Sequence, residues 1–183
     1  MNLDGPYKSL GYYDVSKLKQ LVPNDSDPLW LKDTYRQTRY VEHSNTRTII
    51  FVWEANHSEP TYMDEENCES ELGKEVYKYV KQMLTLYPNT YISKVMLVSL
   101  EPGGIIPIHS DGSHLAFVHR IHVPIKTTPR CYFEIDDAVY YFHEGEAFEL
   151  NNTWNHAVYN KSSTFRVHLM IDLRKKNGNT NFS

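Results

Sequence analysis

From Tyr91 to Leu173 the chain is written as short β segments separated by turns, and this grammar limits the possible folds more than any other feature. Tyr91–Leu100, Ile105–His109, His119–Ile125, Cys131–Ile135, Val139–Phe142, Ala147–Leu150, His156–Tyr159 and Phe165–Leu173 are rich in β-branched and aromatic residues. Turn formers such as Pro102-Gly103-Gly104 punctuate them. Short strands at this spacing argue for an antiparallel sandwich or barrel, the jelly-roll kind included.

The first half reads differently. Asp14 followed by Val15, Leu18, Leu21 and Val22 predicts a short capped helix ended by Pro23, and Pro23–Pro28 is a polar connection. Leu29–Tyr40 is ambiguous, whereas Thr46–Trp53 predicts a strand. Over residues 64–87, Leu72, Val76, Tyr79, Val80, Met83, Leu84 and Tyr87 recur at three- and four-residue steps, predicting one amphipathic helix. Asp64, Glu65, Glu66, Glu69 and Glu71 load its first turns with negative charge, where the helix dipole favours it, and Pro88-Asn89 stops it. The expectation is a single domain over residues 1–183: an N-terminal support (1–90), a β core (91–173) and a polar tail (174–183). The fold class is mainly β with flanking helices, the helical part bracing one sheet from outside.

Bulk properties exclude several functions. Net charge is -4 with acids and bases interleaved, so no basic run reaches nucleic-acid-binding density. Thr48–Trp53 is far too short an apolar run to span a membrane. Met1–Lys8 lacks a basic region followed by an apolar core, which predicts a cytoplasmic location. Cys68 and Cys131, widely spaced, read as reduced thiols.

Side chains alternate across a strand, so parity sorts them onto two faces. In the last strand Phe165, Val167, Leu169, Ile171 and Leu173 share an apolar face, and Arg166, His168, Met170 and Asp172 share the other. Between His119 and Ile125, Ile121, Val123 and Ile125 lie together while Arg120 and His122 point oppositely. Parity leaves open whether that second face meets water or an enclosed polar cavity. His109 and Asp111 are also two apart, and His156 follows in a turn-rich stretch, so the three form a possible metal set. Two imidazoles and one carboxylate suit non-haem Fe(II) and leave positions open for a cosubstrate and dioxygen. A 2-oxoacid with a distal carboxylate then needs a buried guanidinium fork, for which Arg166 is the candidate. His43, His57, His114 and His143 read as structural or surface residues, and Arg36, Arg39 and Arg47 as solvated.

The segment from Leu100 to Leu173 resembles the aspartyl/asparaginyl β-hydroxylase family of iron- and 2-oxoglutarate-dependent oxygenases. The similar text is E-P-G-G at Glu101–Gly104, H-S-D at His109–Asp111, H-R-I-H-V-P-I at His119–Ile125, G-E-A-F-E-L at Gly145–Leu150, N-H-A-V-Y-N at Asn155–Asn160 and S-T-F-R-V-H-L-M-I-D-L at Ser163–Leu173. The resemblance implies a double-stranded β-helix (jelly-roll, cupin-like), with His109 and His156 as iron ligands and Arg166 on the distal carboxylate of 2-oxoglutarate. It further implies that His122 lines the cosubstrate or substrate pocket, and that Arg120 contacts substrate carboxylate or cosubstrate. Asp111 in H-x-D departs from vertebrate members acting on extracellular domains, which lack the carboxylate ligand. In this the chain is similar to bacterial members acting on free amino acids, such as proline hydroxylases. The expected reaction is hydroxylation of an amino acid, free or as an Asp/Asn/Pro-type residue in a polypeptide. Two other readings stand beside it: a cupin-like metal-dependent isomerase or hydrolase, which has no evident use for Arg166, and a non-enzymatic β-sandwich binding module with tyrosines as its stacking platform.

Overall fold

A computed structural model describes residues 3–54 and 62–176, apart from the side chains of residues 62, 113 and 114. His57, the His114 side chain and tail residues 177–183 lie outside the described residues. The strands are β1 (Tyr7–Tyr12), β2 (Thr46–Trp53), β3 (Tyr62–Met63), β4 (Thr90–Leu100), β5 (Ile105–His109), β6 (Val118–Lys126), β7 (Cys131–Ile135), β8 (Ala138–Tyr140), β9 (Glu146–Leu150), β10 (His156–Asn160) and β11 (Arg166–Lys175). The α-helices are α1 (Ser16–Leu21), α2 (Tyr35–Arg39), α3 (Glu65–Glu69) and α4 (Glu71–Leu86). A seven-stranded sheet runs β1-β9-β6-β11-β4-β2-β3 and a four-stranded sheet runs β5-β10-β7-β8. All pairings are antiparallel. This is the expected jelly-roll, a double-stranded β-helix with helices outside the larger sheet.

The parity reading explains the layers. Val167, Leu169, Ile171 and Leu173 of β11 and Ile121, Val123 and Ile125 of β6 join one core cluster with Leu72, Val76, Val80 and Met83 of α4 and Leu18 of α1. A fully buried side chain of this kind stabilises by roughly 1.5–3 kcal/mol. A one-residue slip of β11 would put Arg166, His168 and Asp172 into that layer instead, so the register is strongly specified. The opposite face of β6 and β11 does not meet water. It looks into the space between the sheets, where Arg120, Arg166, His168 and Asp172 are all buried.

Several elements differ from the sequence reading, among them the short β3, which pairs with the end of β2. The helix expected over residues 64–87 is broken at Ser70, whose ψ of 162° is not helical. Ser70 Oγ donates to Asn67 O (2.6 Å) and accepts from Gly73 N (3.0 Å), capping a fresh helix. A Cβ at Gly73 would lie 2.1 Å from Asn67 O, so only glycine lets the two helices meet this closely. Asp64 likewise caps α3, accepting from Asn67 N at 2.9 Å. β1, absent from the sequence reading, adds to the sheet edge against β9. The adjoining turn is held by Tyr13 N donating to Gly145 O (2.9 Å), with Gly145 at φ +79° and a hypothetical Cβ 2.2 Å from Tyr13 O. β8 stops at Tyr140 because Phe142 turns inward to stack on Phe148, centroids 3.6 Å apart. β11 continues to Lys175, so its end overlaps the residues expected to begin the tail.

Candidate functional site

β5 and β10 are neighbours in the smaller sheet, with His109 and His156 directly opposite one another and their rings 4.3 Å apart. Asp111 follows β5, its backbone N–H donating to Asn152 O (2.7 Å), which fixes the turn that returns its carboxylate toward the histidines. One ligand atom from each of His109, Asp111 and His156 lies within 4.8 Å of the other two. The imidazoles are oriented alike. His109 Nδ1–H donates to Pro107 O (2.8 Å) and His156 Nδ1–H donates to Trp154 O (2.9 Å). Such carbonyl partners fix the tautomer that leaves Nε2 with a lone pair for a metal. Burial, reinforced by His109, pushes the His156 imidazolium down to about 4, so the ring is neutral at ordinary pH and its Nε2 is free to serve as a donor. Burial opposes the Asp111 charge, but Arg120 and the two histidines outweigh it and hold this carboxyl below its usual value.

Arg120 is held between two carboxylates. Its Nε and Nη2 donate to Asp172 at 3.0 and 2.8 Å, while Nη1 donates to Asp111. Burial disfavours this guanidinium, yet Asp111 and Asp172 more than compensate and raise its pKa. Asp172 is fully buried and stands opposite Arg120 across β6 and β11. The pair thus carries positive charge to the back of Asp111.

Deeper in the same cavity Arg166 is 3% exposed. Its Nη2 donates to His168 Nδ1 (2.8 Å), and its guanidinium lies over the Phe133 ring at 5.1 Å. Among the described residues it has no carboxylate partner within ion-pair distance. Burial pushes its pKa down to about 9, which still leaves it charged at neutral pH. His122 stacks on Phe148 (5.3 Å, 15°) and neither of its ring nitrogens has a hydrogen-bond partner among the described residues. Burial, with Arg166 nearby, holds both His122 and His168 well below the ordinary imidazole value. A buried cation without an anion and an imidazole without partners are costly to fold, and their clustering marks a place built for a polar anionic guest.

All six residues singled out in the sequence are thus in one region: His109, Asp111 and His156 at its mouth, Arg120 behind Asp111, His122 and Arg166 inside. Three more pocket residues gain places that the sequence did not assign as sites, although parity already put His168 on the face of Arg166. His168 holds Arg166, and Arg36 and His43 come from the N-terminal third, where the sequence alone makes them solvated and structural. Arg36 is 9% exposed and lines the cavity. Its burial is a tertiary effect of α2 docking over the sheet, with Gln37 Nε2 anchored on Thr48 Oγ1 at 2.8 Å, and no local pattern signals it. Arg39 is exposed as expected, and Arg47 pairs with Glu101 at 2.9 Å.

Two antiparallel sheets closing on a polar cavity, with two imidazoles and a carboxylate convergent at its mouth, define the class: a double-stranded β-helix with a candidate 2-His-1-carboxylate centre. Residues 29–176 match the family described as Aspartyl/Asparaginyl beta-hydroxylase, and the chain belongs to that family. No curated protein sequence matches it. Among solved structures it is similar to an oxidoreductase of the 2OG-Fe(II) oxygenase family from Burkholderia pseudomallei (TM-score 0.59, 11% identity, 94% of this chain and 86% of that one). It is equally similar to the viral collagen prolyl hydroxylase vCPH from Paramecium Bursaria Chlorella virus-1, solved as a 2OG complex (TM-score 0.59, 12% identity, 95% and 98%). At these identities the likeness speaks to the fold. Among the described residues no helix is long and apolar enough to cross a membrane.

Proposed function

We propose that this hydroxylase-family protein is an Fe(II)- and 2-oxoglutarate-dependent dioxygenase that hydroxylates an amino acid, free or as an Asp/Asn/Pro-type residue in a polypeptide. The observation that carries the reading is the pairing, inside one cavity, of the His109, Asp111 and His156 set with the buried, anion-free guanidinium of Arg166. A cupin-like isomerase or hydrolase acting on a neutral substrate, or a sugar-binding sandwich, gives that second feature no evident role.

The donor set fits the group. Two neutral imidazoles and a carboxylate are hard-to-borderline ligands suited to Fe(II), and three protein ligands leave the remaining positions for cosubstrate and dioxygen. His109, Asp111 and His156 would hold the metal, and Arg166 would take the distal carboxylate of 2-oxoglutarate. When bound, the iron and 2-oxoglutarate together supply oxidation of an unactivated C–H bond by dioxygen, with decarboxylation of the cosubstrate to succinate. The chain's own residues do the rest. Pro107 O and Trp154 O keep both Nε2 atoms aimed at the metal position. Arg120 holds Asp111 ionised and oriented while Asp172 balances its charge. Val98, Ile106, Phe133, Leu150 and Val158 line the remaining wall and keep it dry, which strengthens the Arg166 attraction for a carboxylate.

The test is Arg166→Met. A buried charged hydrogen bond of this kind is worth on the order of 2–5 kcal/mol, so the 2-oxoglutarate KM should rise at least about 30-fold with metal affinity retained. An unchanged KM would remove Arg166 from the role. Succinate release, measured across free amino acids and Asp-, Asn- and Pro-containing peptides, identifies the substrate.

A further inference from the structure

Arg36 and His43 form the second unsatisfied polar group in the cavity. Arg36 Nη2 donates to His43 Nε2 at 3.2 Å and Nη1 reaches only the thioether of Met96 at 3.5 Å. Among the described residues no carboxylate lies within ion-pair distance of Arg36. Since His43 Nε2 accepts, its proton sits on Nδ1, and that buried nitrogen has no partner among the described residues. The pair stands beside the metal set, the His43 and His109 rings being 6.4 Å apart. The unused donors of the Arg36 fork are by themselves the complement of two carboxylate oxygens.

Charge counting points the same way. Arg36, Arg120 and Arg166 are three cations of the cavity wall, and the two anions, Asp111 and Asp172, both pair with Arg120. An iron dication and a 2-oxoglutarate dianion cancel one another. One positive charge remains, and Arg36 is the arginine left without an assigned anion.

We propose that Arg36, oriented by His43, is the specificity residue that receives a carboxylate of the substrate, so that the enzyme acts on a carboxylate-bearing amino acid. This rests on the iron and 2-oxoglutarate reading above and adds the substrate's chemistry to it. The carboxylate can be the α-carboxylate of a free amino acid or a side-chain carboxylate, and the probes separate the two.

The experiment uses the protein loaded anaerobically with Fe(II) and 2-oxoglutarate, whose visible charge-transfer band is titrated with free L-amino acids, with their α-carboxamides, and with N-acetylated aspartyl amides. The expected result is that the compounds perturbing the wild-type band carry a carboxylate and lose about 30-fold or more in affinity both on amidation of that group and in Arg36→Met. The two losses should be non-additive, since they remove the two ends of one contact. Arg36→Lys, which keeps the charge but not the fork, should recover part of the affinity. Arg36→Met should leave the 2-oxoglutarate band intact, which separates loss of the substrate contact from a general loss of structure; an arginine kept for structure alone would lose that band along with substrate affinity. Equal binding of acid and carboxamide, unchanged binding in Arg36→Met, or a panel in which no carboxylate perturbs the wild-type band would each overturn the subsite while the cofactor reading stands. No band in the wild type would instead overturn the cofactor reading, and the subsite with it.

Discussion

Replacing Asp172 by Asn isolates what the Arg120 bridge contributes. Asp172 is 0% exposed and accepts two charged hydrogen bonds from Arg120, at 3.0 and 2.8 Å. Asn keeps the shape but removes the charge, leaving Arg120 buried with Asp111 as its one anion. Removing one member of such a buried pair costs about 3–5 kcal/mol, mainly because an uncompensated cation stays behind. Asn retains one acceptor, so the lower end, about 3 kcal/mol, is expected. With a urea m-value of about 2 kcal/mol/M, the midpoint of the apo-protein should fall by about 1.5 M. Metal binding should weaken as well. Arg120 then draws more strongly on Asp111, and loss of such an outer partner typically lowers metal affinity 10- to 100-fold. Isothermal titration with Co(II) reads this second effect. A urea midpoint within about 0.3 M of wild type in Asp172→Asn would refute the reasoning, because Arg120 would then have no energetic need of its second anion.

Acid sensitivity and the helix junction give two further tests. Burial depresses the imidazolium pKa of His43 to about 3 and of His156 to about 4, and holds His122 and His168 well below the ordinary value. The unfolded chain titrates near 6.5, so it binds more protons than the folded one between roughly pH 4 and 6.5. Apo-protein stability should therefore be complete above pH 6.5 and fall below it, by up to about 1.4 kcal/mol per pH unit for each histidine. Urea midpoints at pH 7.5 and pH 5 check this, and equal midpoints would contradict it. Gly73→Ala would place a Cβ 2.1 Å from Asn67 O and 2.6 Å from Cys68 O. It should destabilise by about 2–3 kcal/mol in urea while leaving Co(II) affinity unchanged, and a neutral effect would mean that α3 and α4 do not need so close an approach.

The strands that carry the site were legible because each obeys a local rule. β2, β5 and β7 begin and end where their β-branched and aromatic runs do. In β6 and β11 two-residue alternation separated the helix-facing side from the side bearing Arg120, His122 and Arg166. What stayed hidden depends on parts of the chain far apart in sequence. β1 is a strand because β9, some 140 residues on, offers it an edge. The break at Ser70 is the local exception: it falls in the acidic stretch ahead of the apolar stripe that starts at Leu72, where periodicity carries no information, and it is made by the Ser70 cap and the close approach of Gly73 to Asn67 O. Arg36 lies in a polar, unpatterned stretch, and only the docking of α2 turns it inward.

The central claim is that His109, Asp111 and His156 hold iron in the same cavity where Arg166 holds 2-oxoglutarate. Its most direct test is anaerobic titration of the apo-protein with Fe(II) and 2-oxoglutarate, following the visible charge-transfer band of the chelated cosubstrate. The account predicts a saturable band in the wild type that disappears in His156→Ala. No band in the wild type, or a band that survives His156→Ala unchanged, would contradict it.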